Sequence, residues 1–114
     1  MLKMYGLKNC DTCRKAMKWL ESEEIAFEFI DVRKDGIAQA DVAGWANSAG
    51  IEQLLNRRGT TWRGLSDADK AKGEGNDAVA LMAEHPALIK RPVFDRDGEI
   101  RVGFKDAEQA WLKS

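Results

Sequence analysis

The chain has 114 residues, of which 44% are hydrophobic and 32% charged, proportions typical of a folded globular protein. Its 18 basic and 19 acidic side chains leave a formal net charge of −1, which argues against a protein whose main task is to hold nucleic acid. The first residues contain neither a long apolar run nor a membrane-spanning segment, so we expect a cytoplasmic protein without a membrane contact.

The N-terminal part of the chain predicts a βαβ unit. Leu2–Tyr5 predicts a strand, Arg14–Glu23 has the apolar spacing of a helix, and Ile25–Ile30 alternates like a second strand. Because a helix joins the two strands, we expect them to be parallel.

The middle of the chain predicts a helical insert at about residues 37–85. A helix from Ala38 should end at Gly50, and Asn56–Gly64 predicts a polar loop. The shorter helices are predicted at Ile51–Leu55, Ser66–Lys72 and Asp77–Glu84.

The C-terminal third predicts a β-hairpin followed by a helix. Strands are expected at Val93-Phe94 and Ile100–Phe104, with Asp97-Gly98 in the turn, and Asp106 is expected to cap the last helix. The order βαβ, helical insert, ββα predicts one thioredoxin-like α/β domain over residues 1–114, with a mixed sheet and flanking helices.

The only two cysteines form a CxxC motif, Cys10-Asp-Thr-Cys13. Cys10 precedes the first helical turn and should be exposed, where the helix dipole stabilises a thiolate; Cys13 should face inward. Residues three apart in a helix have Cα atoms about 5 Å apart, within the range of a disulfide. Lys8 and Arg14 add positive charge, so Cys10 is predicted to attack and Cys13 to resolve.

Two other interpretations of the CxxC are less favoured. A zinc site needs two more ligands, but His85 is the only histidine and there is no second CxxC, so we expect no metal. Inert thiols at a buried helix start are the second interpretation.

Two basic segments are candidates for anion binding. Lys90-Arg91-Pro92 begins the third predicted strand and should face the CxxC, which favours a functional role for Arg91. The loop arginines Arg57, Arg58 and Arg63 fit an anion or protein site and a solvated surface equally well.

Three ordered motifs resemble the arsenate reductase (ArsC) family, and within it the Spx/YffB-like branch. They are Tyr5-Gly-x-Lys-x-Cys10-x-x-Cys13-Arg-Lys-Ala16, Leu54-Leu-Asn-x-Arg58-Gly-Thr-Thr-Trp-Arg63 and His85-Pro-x-Leu-Ile-Lys-Arg91-Pro92. The resemblance implies a thioredoxin fold with a helical insert, Cys10 as nucleophile, Arg91 as an oxyanion ligand and a cis Pro92. The site residues predicted on these grounds are Cys10, Cys13 and Arg91 for catalysis, and Lys8, Asn9, Thr12, Arg14, Arg58 and Pro92 for binding the substrate or anion.

The chain also departs from the arsenate reductases. By our alignment, one of their two further arginines falls near Asn56 and the other at Gly103 or Phe104, so the oxyanion cage is incomplete. Cys13 replaces a small or polar residue usual in those enzymes, whereas Spx-type regulators also have a CxxC.

Three functions follow as hypotheses. The first is a cytosolic reductase of thiol–disulfide or arsenate type, with no bound cofactor and with glutathione as co-substrate. Its partners would be glutaredoxin or thioredoxin and a small oxyanion or disulfide; we expect a monomer that binds no nucleic acid. The second is an Spx-like redox-sensing regulator that binds RNA polymerase, and the third is a binding module with inert thiols.

Overall fold

The computed structural model describes all 114 residues, which form two compact units. The first unit consists of Met1–Asp35 and Arg91–Ser114, and the second of Gly36–Lys90. The second unit contains the region predicted as a helical insert. That the chain is a single domain stays a prediction.

A four-stranded mixed sheet forms the centre of the first unit. Its strands are β1 (Leu2–Gly6), β2 (Phe27–Asp31), β3 (Val93–Arg96) and β4 (Glu99–Val102). They lie in the order β2-β1-β3-β4; β1 is parallel to β2, and the other pairs are antiparallel. The predicted α/β class and the parallel β1–β2 pair are therefore confirmed.

Seven α-helices complete the structure. They are α1 (Asp11–Ser22), α2 (Gln39–Ala49), α3 (Ile51–Leu54), α4 (Thr60–Arg63), α5 (Asp67–Lys70), α6 (Gly75–Glu84) and α7 (Asp106–Leu112), and a 3₁₀ turn spans Pro86–Leu88. None of the helices combines the length and the apolar character that a membrane crossing requires.

The core of the first unit lies between α1 and the sheet. Cys13, Ala16 and Leu20 recur at helical spacing and are fully buried on one side of α1. They belong to one cluster with Leu2, Met4, Phe94 and Leu112. The Cys13 thiol is thus a core side chain as well as half of the CxxC.

Two local predictions in the first unit have different outcomes. The β3–β4 turn has Asp97 at φ 53° and Gly98 at φ 96°, the backbone of a type I′ hairpin, as the Asp-Gly pair predicts. The prediction that Asp106 caps α7 is wrong, because α7 already begins at that residue and Lys105 precedes it. The Glu108 carboxylate accepts a hydrogen bond from the Lys105 amide at 2.8 Å, which satisfies that amide.

The predicted polar loop at Asn56–Gly64 is wrong in part, because it contains the single turn α4. The turn is stabilised by Arg63, whose Nη2 donates to the Arg58 carbonyl at 2.6 Å, and by the Arg57 guanidinium over the Trp62 ring at 5.5 Å. Each contact joins a side chain of the turn, Arg63 or Trp62, to a residue that precedes the turn. The pattern of residue types in the sequence does not reveal such contacts.

Candidate active site

Cys10 is the residue at which α1 begins. Its backbone is extended, with φ −90° and ψ 122°, and its carbonyl accepts from the Arg14 amide at 3.0 Å. The Cys10 amide donates to the Leu7 carbonyl at 3.2 Å, which turns the chain out of β1 and into the helix. The Cys10 side chain is therefore held at the positive end of the helix dipole. It is half-buried, where the sequence predicted an exposed side chain.

The surroundings of Cys10 favour its thiolate. Partial burial opposes the charge, but the Cys13 amide, the Arg91 guanidinium and the Cys13 thiol all donate hydrogen bonds to the Cys10 sulfur. Together with the positive charge of Arg91, these bonds lower the pKa of Cys10. The groups that lower this pKa are thus Cys13 and Arg91, and the contribution of Lys8 and Arg14 stays a prediction.

Cys13 has the opposite character. Burial raises the pKa of Cys13 to about 12; a hydrogen bond from the Leu7 amide opposes this shift, and the bond and charge of Cys10 add to it. Of the two thiols, Cys10 therefore loses its proton first, and the negative charge of the pair then resides on Cys10 while Cys13 stays protonated. The lowered pKa of Cys10 suits an attacking thiolate, and the raised pKa of Cys13 suits a second thiol that stays protonated.

The last residue of β1, Gly6, lies directly against the Cys13 sulfur. A Cβ atom placed on Gly6 would be 2.5 Å from Cys13 Sγ, far inside van der Waals contact. The same atom would lie at an ordinary 3.5 Å from the Cys13 Cβ and from the Phe29 ring. The absence of a side chain at Gly6 thus makes the room for the second thiol.

The residues before β3 complete this site. Arg91 donates to the Cys10 sulfur, the Arg91–Pro92 peptide bond is cis, and Pro92 is buried. The Pro92 carbonyl accepts from the Gly103 amide at 2.8 Å, which fixes the segment to the residue after β4. The structure therefore brings together four of the predicted site residues, Cys10, Cys13, Arg91 and Pro92, while their roles stay predictions.

The other predicted anion ligands of the first unit flank Cys10 in the sequence. Lys8, Asn9, Thr12 and Arg14 are all exposed. The Arg14 Nε donates to the Lys8 carbonyl at 3.1 Å, and its Nη1 is 3.6 Å from Asp11 Oδ1. Arg14 therefore holds the loop before the helix rather than the cysteine sulfur.

The arginines of the predicted polar loop lie in the second unit and differ in their contacts. Arg57 Nη1 binds Glu52 at 2.6 Å and its Nη2 donates to the Gly73 carbonyl at 2.6 Å, so its guanidinium is engaged within that unit. Arg63 is engaged with the Arg58 carbonyl. The exposed Arg58 side chain makes no hydrogen bond or ion pair, and it is the loop arginine whose guanidinium is available to a ligand.

Sequence reasoning missed a buried carboxylate beside the site. Asp31, opposite Gly6 at the end of β2, is only 7% exposed. Its Oδ1 accepts from the Arg33 and Lys34 amides, each at 2.9 Å, and its Oδ2 from the Lys8 amide at 3.4 Å. The sequence signal that could have revealed this carboxylate is a charged residue at the end of an apolar strand. These bonds, led by that of the Lys34 amide, lower the pKa of Asp31.

We expect Asp31→Asn to destabilise the protein by about 2 kcal/mol at pH 7, because a buried amide would face the Lys8 amide with a donor. Since the pKa of Asp31 is lowered in the folded state, its stabilising contribution is complete above the unfolded pKa of about 3.9 and is lost as the pH falls through the folded pKa. Urea unfolding between pH 7 and pH 2 should therefore show a shallower acid decline in the variant. Asp35→Asn, in the same turn, is the control; equal acid declines in Asp31→Asn and wild type would contradict the prediction.

The structure contains no group of three or more His, Cys, Asp or Glu side chains that could hold a metal ion. The single histidine, His85, lies in the second unit with its Nε2 3.9 Å from Glu84 Oε1.

Comparison with known proteins assigns the chain to a family. The family model described as ArsC matches residues 5–111. The chain belongs to the ArsC family. A solved structure named YffB is 38% identical to this ArsC-family chain, with a TM-score of 0.94 and 100% of both chains covered. An arsenate reductase (ArsC) related protein from Brucella melitensis is 40% identical, with a TM-score of 0.77 over 99% of this chain and 95% of that one.

Curated relatives include proteins with a regulatory name. The global transcriptional regulator Spx of Enterococcus faecalis is 28% identical over 95% of this chain and 83% of its own length. The family and the Spx/YffB-like resemblance predicted from three motifs are confirmed.

Proposed function

We propose that this ArsC-family protein is a thiol-dependent reductase in which Cys10 is the nucleophile and glutathione the co-substrate. The observation that carries the proposal is the set of hydrogen bonds from Cys13 and Arg91 to the Cys10 sulfur. A stabilised thiolate beside a fixed guanidinium fits a substrate that is both electrophilic and anionic. Glutathione disulfides and arsenate both meet this description.

The reaction on a disulfide proceeds by successive exchanges. The Cys10 thiolate attacks one sulfur, a mixed disulfide forms, and the second sulfur leaves as a thiolate with the bonding electron pair. On one route a glutathione thiolate attacks the substrate sulfur of the mixed disulfide, a glutathione–substrate disulfide forms, and the Cys10 thiolate leaves with the electron pair. On the other route Cys13 attacks the Cys10 sulfur, the substrate thiolate leaves, and the resulting Cys10–Cys13 disulfide is reduced to the dithiol by two glutathione molecules, which become glutathione disulfide. With arsenate, Cys10 would displace a hydroxyl group from arsenic, and thiols would supply the two electrons.

The residues at the remaining oxyanion positions favour the disulfide over arsenate. A further arginine would fall at Phe104 or at Gly103. Phe104 is an uncharged side chain, and Gly103 has φ +99°, a backbone conformation that strains any side chain. A Cβ at Gly103 would also be 3.3 Å from Glu108 Oε1, a tight contact. Asn56, near the other position, is neutral and accepts from the Arg58 amide.

We expect Cys10→Ser to abolish reduction of the glutathione mixed disulfide of a small thiol, because a serine hydroxyl is not ionised at neutral pH. The rate should fall by at least about a thousandfold and be measured as glutathione-dependent turnover coupled to glutathione reductase. Cys13→Ser is the matched variant, and it tells whether glutathione alone resolves the intermediate. Equal turnover by wild type and Cys10→Ser would reject the proposal.

A second candidate function is a redox-sensing regulator that binds RNA polymerase. The Spx name of a relative covering 95% of this chain favours it. In that case the CxxC would act as a switch between dithiol and disulfide. The test is capture of purified RNA polymerase by the oxidised and the reduced protein; failure to capture it in both states would exclude this function.

A further inference from the structure

The peptide group between Leu7 and Lys8 joins the nucleophile to the buried carboxylate. Its N–H, which belongs to Lys8, donates to Asp31 Oδ2 at 3.4 Å. Its carbonyl, which belongs to Leu7, accepts from the Cys10 amide at 3.2 Å. One planar group therefore connects the Asp31 carboxylate to the backbone of Cys10. Hydrogen bonds in such a chain polarise one another, so the carboxylate makes the Leu7 carbonyl a stronger acceptor.

The same turn also contacts the second thiol and helix α1. The Leu7 amide donates to the Cys13 sulfur. On the following peptide group, the Lys8 carbonyl accepts from Arg14 Nε at 3.1 Å. The turn is thus bound to α1 by the cysteines and by Arg14, and Asp31 ties it to the end of β2.

The Asp31 carboxylate is itself held in place. It is 7% exposed, and its Oδ1 accepts from the Arg33 and Lys34 amides at 2.9 Å each. The Asp31 amide donates to Asp35 Oδ2 at 3.1 Å. Parallel pairing brings the ends of β1 and β2 to the same edge of the sheet, where this carboxylate meets the turn that follows β1. A carboxylate can accept from all three amides with its two oxygens, whereas an asparagine would offer one oxygen and a donor.

We propose that Asp31 is a positioning residue for the nucleophile, because its bond to the Lys8 amide holds the turn that leads into Cys10. This role rests on the proposed reductase function, in which the Cys10 thiolate attacks. The Cys10 sulfur meets the Cys13 amide and the Arg91 guanidinium, so its backbone must be held on both sides. Helix α1 fixes the residues that follow Cys10, and Asp31 fixes those that precede it.

The charge of Asp31 and its positioning role predict opposite changes at Cys10. A nearby negative charge disfavours a thiolate, so loss of the charge alone would lower the pKa of Cys10. Loss of the turn would weaken the bonds to the Cys10 sulfur and raise that pKa. In Asp31→Asn the side-chain amide would face the Lys8 amide as a second donor. We therefore expect alkylation of Cys10 by iodoacetamide to slow about fivefold below its pH midpoint, and the midpoint to move upward.

Matched variants isolate this hydrogen bond. Asp35→Asn removes a charge from the same turn, but its side-chain oxygen can still accept from the Asp31 amide, so its pH midpoint should equal that of wild type. Lys8→Ala and Lys8→Pro both lack the ammonium group, but only Lys8→Pro lacks the amide hydrogen. Lys8 is the second residue of the turn that the Cys10 amide and the Leu7 carbonyl close, a position that suits proline. The midpoint of Lys8→Pro should lie above that of Lys8→Ala.

The double variant Asp31→Asn/Lys8→Pro tests whether both changes act through one bond. If they do, adding Asp31→Asn to Lys8→Pro should change the alkylation rate by less than about twofold. Turnover of a glutathione mixed disulfide should fall together with the alkylation rate in each variant. Each protein is assayed at a temperature at which its unfolding curve shows it to be folded, so that lost stability does not enter the comparison.

Four results would overturn the proposal. An unchanged midpoint in Asp31→Asn would confine Asp31 to stability, and a lower midpoint would show that it acts by its charge. Equal midpoints in Lys8→Ala and Lys8→Pro, or additive effects in the double variant, would show that the Lys8 amide does not transmit the effect. These results leave the reductase function intact. That function would itself be rejected if wild type reduced the mixed disulfide no faster than Cys10→Ser, and the positioning role would be rejected with it.

Discussion

Arg91→Ala should slow alkylation of Cys10 by neutral iodoacetamide at pH 7 by about tenfold, the effect of losing a hydrogen bond to a charged group. Arg91 donates to the Cys10 sulfur and places a positive charge beside it, and both effects lower the pKa of Cys10. Without Arg91 that pKa rises, so a smaller fraction of Cys10 is ionised at pH 7. The midpoint of the alkylation rate against pH should move upward.

Two variants and a second reagent separate charge from geometry in this experiment. Arg91→Lys keeps the charge but loses the planar fork, so its rate should lie between those of wild type and Arg91→Ala. Arg101→Ala, from the same hairpin but stacked on Trp111, should behave as wild type. Anionic iodoacetate should lose more rate than iodoacetamide. An unchanged pH midpoint in Arg91→Ala would show that Arg91 does not activate Cys10.

Gly6→Ala should destabilise the protein by about 2 kcal/mol, because the new methyl group overlaps the Cys13 sulfur at 2.5 Å. The same substitution in a Cys13→Ala background should cost less than about 0.5 kcal/mol, since the remaining neighbours are at 3.5 Å. Urea unfolding of the four proteins under reducing conditions gives the coupling between the two positions, which we expect to be about 2 kcal/mol.

Gly44→Ala is the matched control for this cycle. Gly44 lies inside α2, and a Cβ atom there meets nothing within 4 Å. Alanine in a helix interior is favoured over glycine by up to about 1 kcal/mol, so this variant should be as stable as wild type or more stable. If Gly6→Ala costs the same with and without the Cys13 sulfur, the close approach is not the cause.

The sequence predicted the parts of the fold that depend on local periodicity. The strand predicted at Leu2–Tyr5 is observed at Leu2–Gly6. The buried face of α1 that contains Cys13 and the Asp-Gly hairpin turn likewise follow from spacing or turn chemistry. The α7 cap was assigned one residue late, because Glu108 reaches back to an amide that precedes Asp106.

Periodicity along the sequence could not predict contacts between residues that are far apart in the chain. The role of Asp31 depends on amides of Lys8 and of the turn after β2, which are brought together only by the parallel pairing of β1 and β2. The close approach of Gly6 to the Cys13 sulfur is likewise a contact between the sheet and α1. The sequence does not reveal it, because a glycine at a strand end occurs with or without a sulfur atom beside it. The placement of Arg91 beside Cys10 was expected from the layout, but its direct bond to sulfur was not.

The pairing of β1 with β3 also bears on synthesis of the chain. Tyr5 lies opposite Val93, and the guanidinium that donates a hydrogen bond to the Cys10 sulfur belongs to Arg91. Since a ribosome adds residues from the N-terminus onward, Cys10 leaves the ribosome long before Arg91 is made. A nascent chain that has not reached β3 lacks one of the groups that lower the pKa of Cys10. Full reactivity of this thiol therefore requires synthesis of the chain beyond residue 91.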